Sequence, residues 1–290
     1  MKKLLLALVL CGALCAVQAQ DDSTATAVPP AKSYGKVSIS YLTNSVYNGR
    51  KDSLHTPYIT PTLGYYAKSG FFAEGSLSYL ARQGSDGIDL VTLDAGYDFN
   101  IGDFDGEVMG SHFFYNQNST NTKSAISNSL SVTAGYDFGF IHPGVEGAVN
   151  FGKSTDYAVA VSLDHAFYAA NDKLVITPSV LLNASTQNYY GSYFNDRRYA
   201  KLRKKVYYDI SADLTDASRF KVLDYELSLP IDYTVSDFTL SFVPFFALPV
   251  NPAVVTVKIK PSATAATISK TQTEKIDNSF YASFQVSYKF

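Results

Sequence analysis

The chain of 290 residues predicts an all-β fold, a transmembrane antiparallel up-and-down β-barrel of about 12 strands, and three observations carry that expectation. From Phe280 to Phe290, large apolar residues (Phe280, Phe284, Val286, Tyr288, Phe290) alternate with Tyr281, Ser283, Gln285, Ser287 and Lys289. That period of two is a strand with one face apolar enough to need covering by lipid. Similar alternations recur along the chain, separated by connections that are short and long in turn, as in barrels with turns at one rim and loops at the other. Finally, Tyr (22) and Phe (19) are abundant while mean hydropathy is near zero, a balance that suits strands apolar on one face only.

Twelve segments follow this pattern. Residues 35–43 set Val37, Ile39 and Tyr41 outward; 57–67 set Ile59, Leu63 and Tyr65 outward and carry Pro61, which weakens a ladder. Residues 71–81 and 88–99 place Phe71, Leu77, Tyr79, Val91, Leu93, Tyr97 and Phe99 opposite Glu74, Asp94 and Asp98. In 104–115 the phase is ambiguous, because His112-Phe113-Phe114-Tyr115 is apolar on both faces. Residues 126–138 place Ile126, Leu130, Val132, Tyr136 and Phe138 outward. Next come 144–152, 157–168, 173–183 and 220–235, the last with Leu223, Tyr225, Leu227 and Tyr233 outward, then 237–247 and the closing strand. Residues 184–219 and 248–276 read as long loops. Ala-Gly-Tyr-Asp-Phe recurs at 95–99 and 134–138, each time ahead of a short turn, as an interfacial aromatic girdle would.

Ahead of the barrel, Met1-Lys2-Lys3 and an uncharged run from Leu4 to Val17 read as a secretory signal peptide over 1–19, with a flexible leader over 20–33 marked by Pro29-Pro30. Both cysteines, Cys11 and Cys15, leave with the signal, so disulfides and thiol catalysis are excluded from the mature chain. Without Lys2 and Lys3 the chain carries 22 basic against 26 acidic residues, which excludes nucleic acid as a partner.

The closing strand, with alternating aromatics and Phe290 at its end, resembles that of Gram-negative outer-membrane β-barrel proteins, and the pattern over 34–290 is porin-like. The resemblance implies the outer membrane with both termini in the periplasm, and a barrel-assembly machinery that reads Phe284, Val286, Tyr288 and Phe290. It implies lipid and lipopolysaccharide as neighbours and a small-solute channel as the function. A non-conducting structural or surface-binding barrel is the competing expectation, and a barrel-embedded hydrolase a weaker one.

The inward phase gathers acids: Glu74, Asp94, Asp98, Asp105, Glu107, Asp137, Glu146, Asp164, Asp224, Glu226 and Asp232, against Lys36, Arg82, Lys173 and Lys289. Of these, Glu74, Asp94, Glu107, Glu146, Asp164, Asp224, Glu226 and Asp232 are the candidate lumen charges. The longest loop holds the opposite sign. Arg197, Arg198, Lys201, Arg203, Lys204 and Lys205 lie among Tyr189, Tyr190, Tyr193, Phe194 and Tyr199, so the segment is a candidate lumen plug or phosphate-binding surface. The four histidines lack hydrolase spacing: His112 reads as interfacial, His142 as a turn residue and His165 as a girdle residue. No metal or cofactor motif is present; Asp86, Asp89 and Asp94 lack the order of a calcium loop.

Overall fold

The structure, a computed structural model, describes residues 32–51, 55–82, 87–199, 202–203 and 205–290, the side chain of Arg197 excepted. The signal peptide and most of the leader lie outside these residues. In chain order the elements are β1 (Tyr34–Leu42), β2 (Tyr58–Tyr66), β3 (Phe71–Leu80), β4 (Ile88–Ile101), β5 (Phe104–Tyr115), β6 (Ile126–Tyr136), β7 (His142–Gly152) and β8 (Thr155–Asp164). There follow β9 (Phe167–Ala169), β10 (Leu174–Ile176), β11 (Ser179–Ser185), α1 (Asn188–Tyr193), a π-helical turn (Phe194–Arg198), β12 (Asp209–Thr215) and β13 (Lys221–Ser228). The last are β14 (Ile231–Val235), β15 (Phe238–Pro249), β16 (Val254–Lys260), β17 (Ile268–Thr273) and β18 (Ser279–Lys289).

Antiparallel neighbours run from β1 through β8 and on through β11, β13, β15 and β18, and β18 pairs back onto β1 from Lys36↔Lys289 to Leu42↔Ser283. The sheet therefore closes and has no free edge. Fifteen strand pieces make twelve staves, because β8/β9, β10/β11 and β13/β14 are each one stave with a break. Two of the three breaks hold a proline. Pro178 and Pro230 lie in adjacent staves and supply no N–H to the ladder, although Thr177 N still donates to the Pro230 carbonyl and Leu229 N to that of Pro244.

The outer wall is apolar. Leu63, Phe71, Leu93, Leu130, Val180 and Val286, with their neighbours in phase, are all exposed, and so are Phe284, Tyr288 and Phe290. At the rim with short turns the outward rings touch in pairs: Phe71–Tyr97 at 4.8 Å, Tyr136–Phe138 at 4.6 Å and Phe238–Tyr288 at 4.7 Å between centroids. In the β2–β3 turn Gly70 has φ +96°, and a Cβ there would lie 2.2 Å from the Asp98 carbonyl oxygen, so a side chain is barred.

Four expectations are corrected. Ile126 is buried, because a bulge between Ile126 and Asn128 reverses the phase at the top of β6. Leu223 is likewise fully buried, where the β11–β13 register skips it. Asp137 lies beyond β6, exposed in the turn with its carboxylate accepting from Gly139 N at 2.6 Å. The two long loops are not structureless: β12 comes from the first and β16 and β17 from the second, and they pair as a separate three-stranded sheet. In the strand of ambiguous phase, Phe113 points inward and Phe114 outward.

Candidate functional site: an acid-lined interior beneath an aromatic cap

The alternation that turns apolar side chains outward delivers serines, threonines and acids to the interior. Along β3, β4 and β5, Glu74, Asp94 and Ser111 are successive ladder partners, and one step towards the turn rim Asp98 faces Glu107 with a side-chain hydrogen bond between them. Tyr66 donates its hydroxyl to Glu74. Glu146 projects from β7 opposite Thr133 and Ala160. Across the barrel, Tyr281 donates to Glu226 at 2.5 Å and Ser241 to Asp232 at 2.5 Å. Asp224 is fully buried.

At the turn rim, His142 sits between Asp105 (2.8 Å from Nε2) and Asp164 (3.4 Å from Nδ1), so it ties three staves together rather than sitting in a turn. The other imidazoles lie elsewhere: His55 is exposed, His112 packs edge-on against Phe114 and binds Asn128, and His165 packs edge-on against Phe167. None of the four rings meets a serine hydroxyl among the described residues. Asp89 does not sit in a calcium loop; it is buried and accepts from Tyr58 at 2.5 Å and Ser119 at 2.8 Å, and Asp86 lies outside the described residues.

At the loop rim the interior is closed by packing. Tyr189, Tyr190 and Tyr193 of α1 and the adjoining Phe194 are buried against Tyr47, Phe113 and Ile126 below and Ala212 and Val255 of the outer sheet above. A second cluster of Leu42, Val46, Tyr58, Leu80, Phe245 and Tyr281 fills the interior beside it. Each buried ring contributes roughly 2 kcal/mol by area, before its lost rotamer freedom is counted. Helix α1 receives its N-terminal cap from another strand, since Asp156 of β8 accepts from both Asn188 N and Tyr189 N at 2.7 Å. Tyr190 donates to Glu274 at 2.6 Å, and burial together with that carboxylate raises its phenol well above the ordinary range.

Two cations hold this end, and the sequence pattern marks neither. Arg50, 2% exposed, donates to the carbonyls of Asn48 (2.9 Å), Leu223 (2.8 Å), Val250 (3.1 Å) and Asn251 (2.9 Å), with Glu274 at 3.7 Å from Nε. Lys123, from the connection between β5 and β6, is also buried, its ammonium 4.2 Å from the Phe113 ring centroid and 5.5 Å from that of Tyr47. Asp94 lies one inward rung from the Phe113 ring, since Thr92 pairs with Phe113 and Asp94 with Ser111.

The basic segment lies differently. Arg198 is exposed beside the Phe194 ring (5.4 Å), and Arg203 binds the Ile210 carbonyl at 2.9 Å and Asp209 at 3.3 Å. Lys205 is exposed, while Lys201, Lys204 and the Arg197 side chain lie outside the described residues. What enters the cap from this loop is its aromatic half. Much of the inner wall around the acids is tight, from 0% exposure for Asp224 and Thr177 to 8% for Gln285, while Glu74, Asp98, Glu107 and Glu146 are half-buried.

No protein-family profile matches the chain, and no curated protein does. Solved barrels do resemble it. The KdgM porin shares 8% identity over 89% of this chain and 99% of its own, with a TM-score of 0.45; the NanC porin shares 10% over 88% and 100%, with 0.47. LpxR from Salmonella typhimurium shares 9% over 87% and 99%, with 0.44. The likeness is one of barrel to barrel. The chain has the architecture of a closed twelve-stranded β-barrel.

Proposed function

We propose that this chain is a porin-like outer-membrane β-barrel that admits small solutes to an acid-lined interior from the turn rim, and that its folded cap restricts the loop rim. The observation that carries the reading is the pairing of an apolar outer wall with an inner wall of hydroxyls and carboxylates, which gives lipid and water one face each. Glu74, Asp94, Glu107, Glu146, Asp164, Asp224, Glu226 and Asp232 act as the lumen charges, making the interior favour cations. Phe284, Val286, Tyr288 and Phe290 serve the assembly machinery. Arg198, Lys205 and their basic neighbours face lipopolysaccharide phosphates.

In planar bilayers the purified protein is expected to give small discrete current steps that prefer potassium over chloride. The preference is greatest at low salt, where the Debye length is ~30 Å. Replacing Glu146 and Glu226 by Gln and Asp224 by Asn lowers it. An anion-selective pore overturns the lumen assignment. The tight packing of the inner wall favours a second reading, a non-conducting surface-binding barrel, and silence of both the wild type and a cap-deleted variant establishes that one instead.

A further inference from the structure

We propose that the place beside Asp94 where the ammonium of Lys123 lies, against the Phe113 and Tyr47 rings, is a binding site for small organic ammonium ions, and that Lys123 fills it here as a tethered stand-in for such a solute. The proposal deepens the reading of the interior as a cation path, and rests on it for its biological use. Lys123 is 7% exposed, and a buried ammonium is stable only where the surroundings replace its water. Among those surroundings are groups that do not require a lysine: a phenyl face at 4.2 Å, a phenol face at 5.5 Å and the carboxylate of Asp94, which lies one inward rung along β4 from the Thr92–Phe113 pair. Aromatic faces combined with acids are the chemistry that recognises an alkylammonium.

A second, independent observation points to a donor-bearing ligand. Asp94 is 8% exposed and its Oδ1 has no hydrogen-bond partner among the described residues. A buried carboxylate oxygen left without a donor is costly, and an incoming N–H would satisfy it. Among the described residues no three His, Cys, Asp or Glu converge on one ion. A diamine placing one ammonium where that of Lys123 lies would direct its other end towards Asp98 and Glu107, which face each other farther along β4 and β5.

The test is calorimetric titration of putrescine into the purified full-length protein in detergent, with the heat-dependent gel shift as the folding control. Lys123→Met vacates the cage and is expected to bind putrescine at least about tenfold more tightly than the wild type. Lys123→Arg, which refills the cage, should bind no better than the wild type, and adding Asp94→Asn to Lys123→Met should abolish the gain. If Lys123→Met does not fold, Lys123→Gln takes its place in the same titration. A neutral variant that binds no more tightly than the wild type, or a gain that survives Asp94→Asn, overturns the site. Binding without conductance removes the channel and keeps the site. Conductance without putrescine binding by the neutral variant does the reverse.

Discussion

Arg50 shows how one side chain can organise a surface whose parts are far apart in sequence. Its guanidinium fork reaches carbonyls of its own loop, of β13 and of the segment after β15, so it ties the loop after β1 to the end of the β13–β15 pair. Lysine cannot reproduce this, because its three donors radiate from a single atom. Arg50→Met should therefore remove these four hydrogen bonds, leaving the Leu223 carbonyl only its bond from Val250 N, and destabilise the cap by about 3–5 kcal/mol, with Arg50→Lys recovering little. Hydrogen exchange reports the outcome. Amides of α1 and β16 should lose protection while those of β4 to β7 keep theirs, and uniform loss across the barrel would show that Arg50 supports the whole fold instead.

At the scale of the element, β18 is a strand whose two faces meet different media. Phe284 is 47% exposed on the outer wall, and its sequence neighbours Ser283 and Gln285 are buried in the inner one. Replacing Phe284 and Tyr288 together by Asp puts two carboxylates on the apolar wall at a cost of up to ~2 kcal/mol each, and the closing pair with β1 should fail to form in membranes. Loss of the heat-modifiable species from membrane fractions is the expected result; normal insertion would refute a lipid-facing wall at this strand. The two segments expected as loops carry the same alternation. Ile210, Ala212 and Leu214 of β12 and Val255, Val257 and Ile259 of β16 obey the same period of two as the staves. They are 7 residues long, short of a membrane crossing, and that length was the available sign of a separate sheet.

For the molecule as a whole, barrel and cap fold as distinguishable layers. Gln187 N donates to the Ala217 carbonyl at 2.7 Å, so the excursion that carries α1 and β12 begins and ends at one place. Excising 188–216 with a short glycine bridge should leave the staves paired, uncover Tyr47 and Phe113, and raise single-channel conductance. A variant that stays heat-modifiable with unchanged current would mean that the cap does not limit passage.

From the sequence alone came twelve staves, the alternation of short and long connections between them and the apolar outer phase of most of them. All of these are consequences of a local period of two, which the order of residues states directly. The tertiary structure decided the rest. Ile126 and Leu223 turn inward because bulges reset the phase, and a bulge depends on the partner strand as much as on its own residues. Of the six basic residues in the long loop, Arg198 and Lys205 are exposed and Arg203 binds Asp209, while Lys123, in a polar connection, is buried on the Phe113 ring. Which charge faces which across a barrel is set by closure, and closure is a property of all twelve staves together.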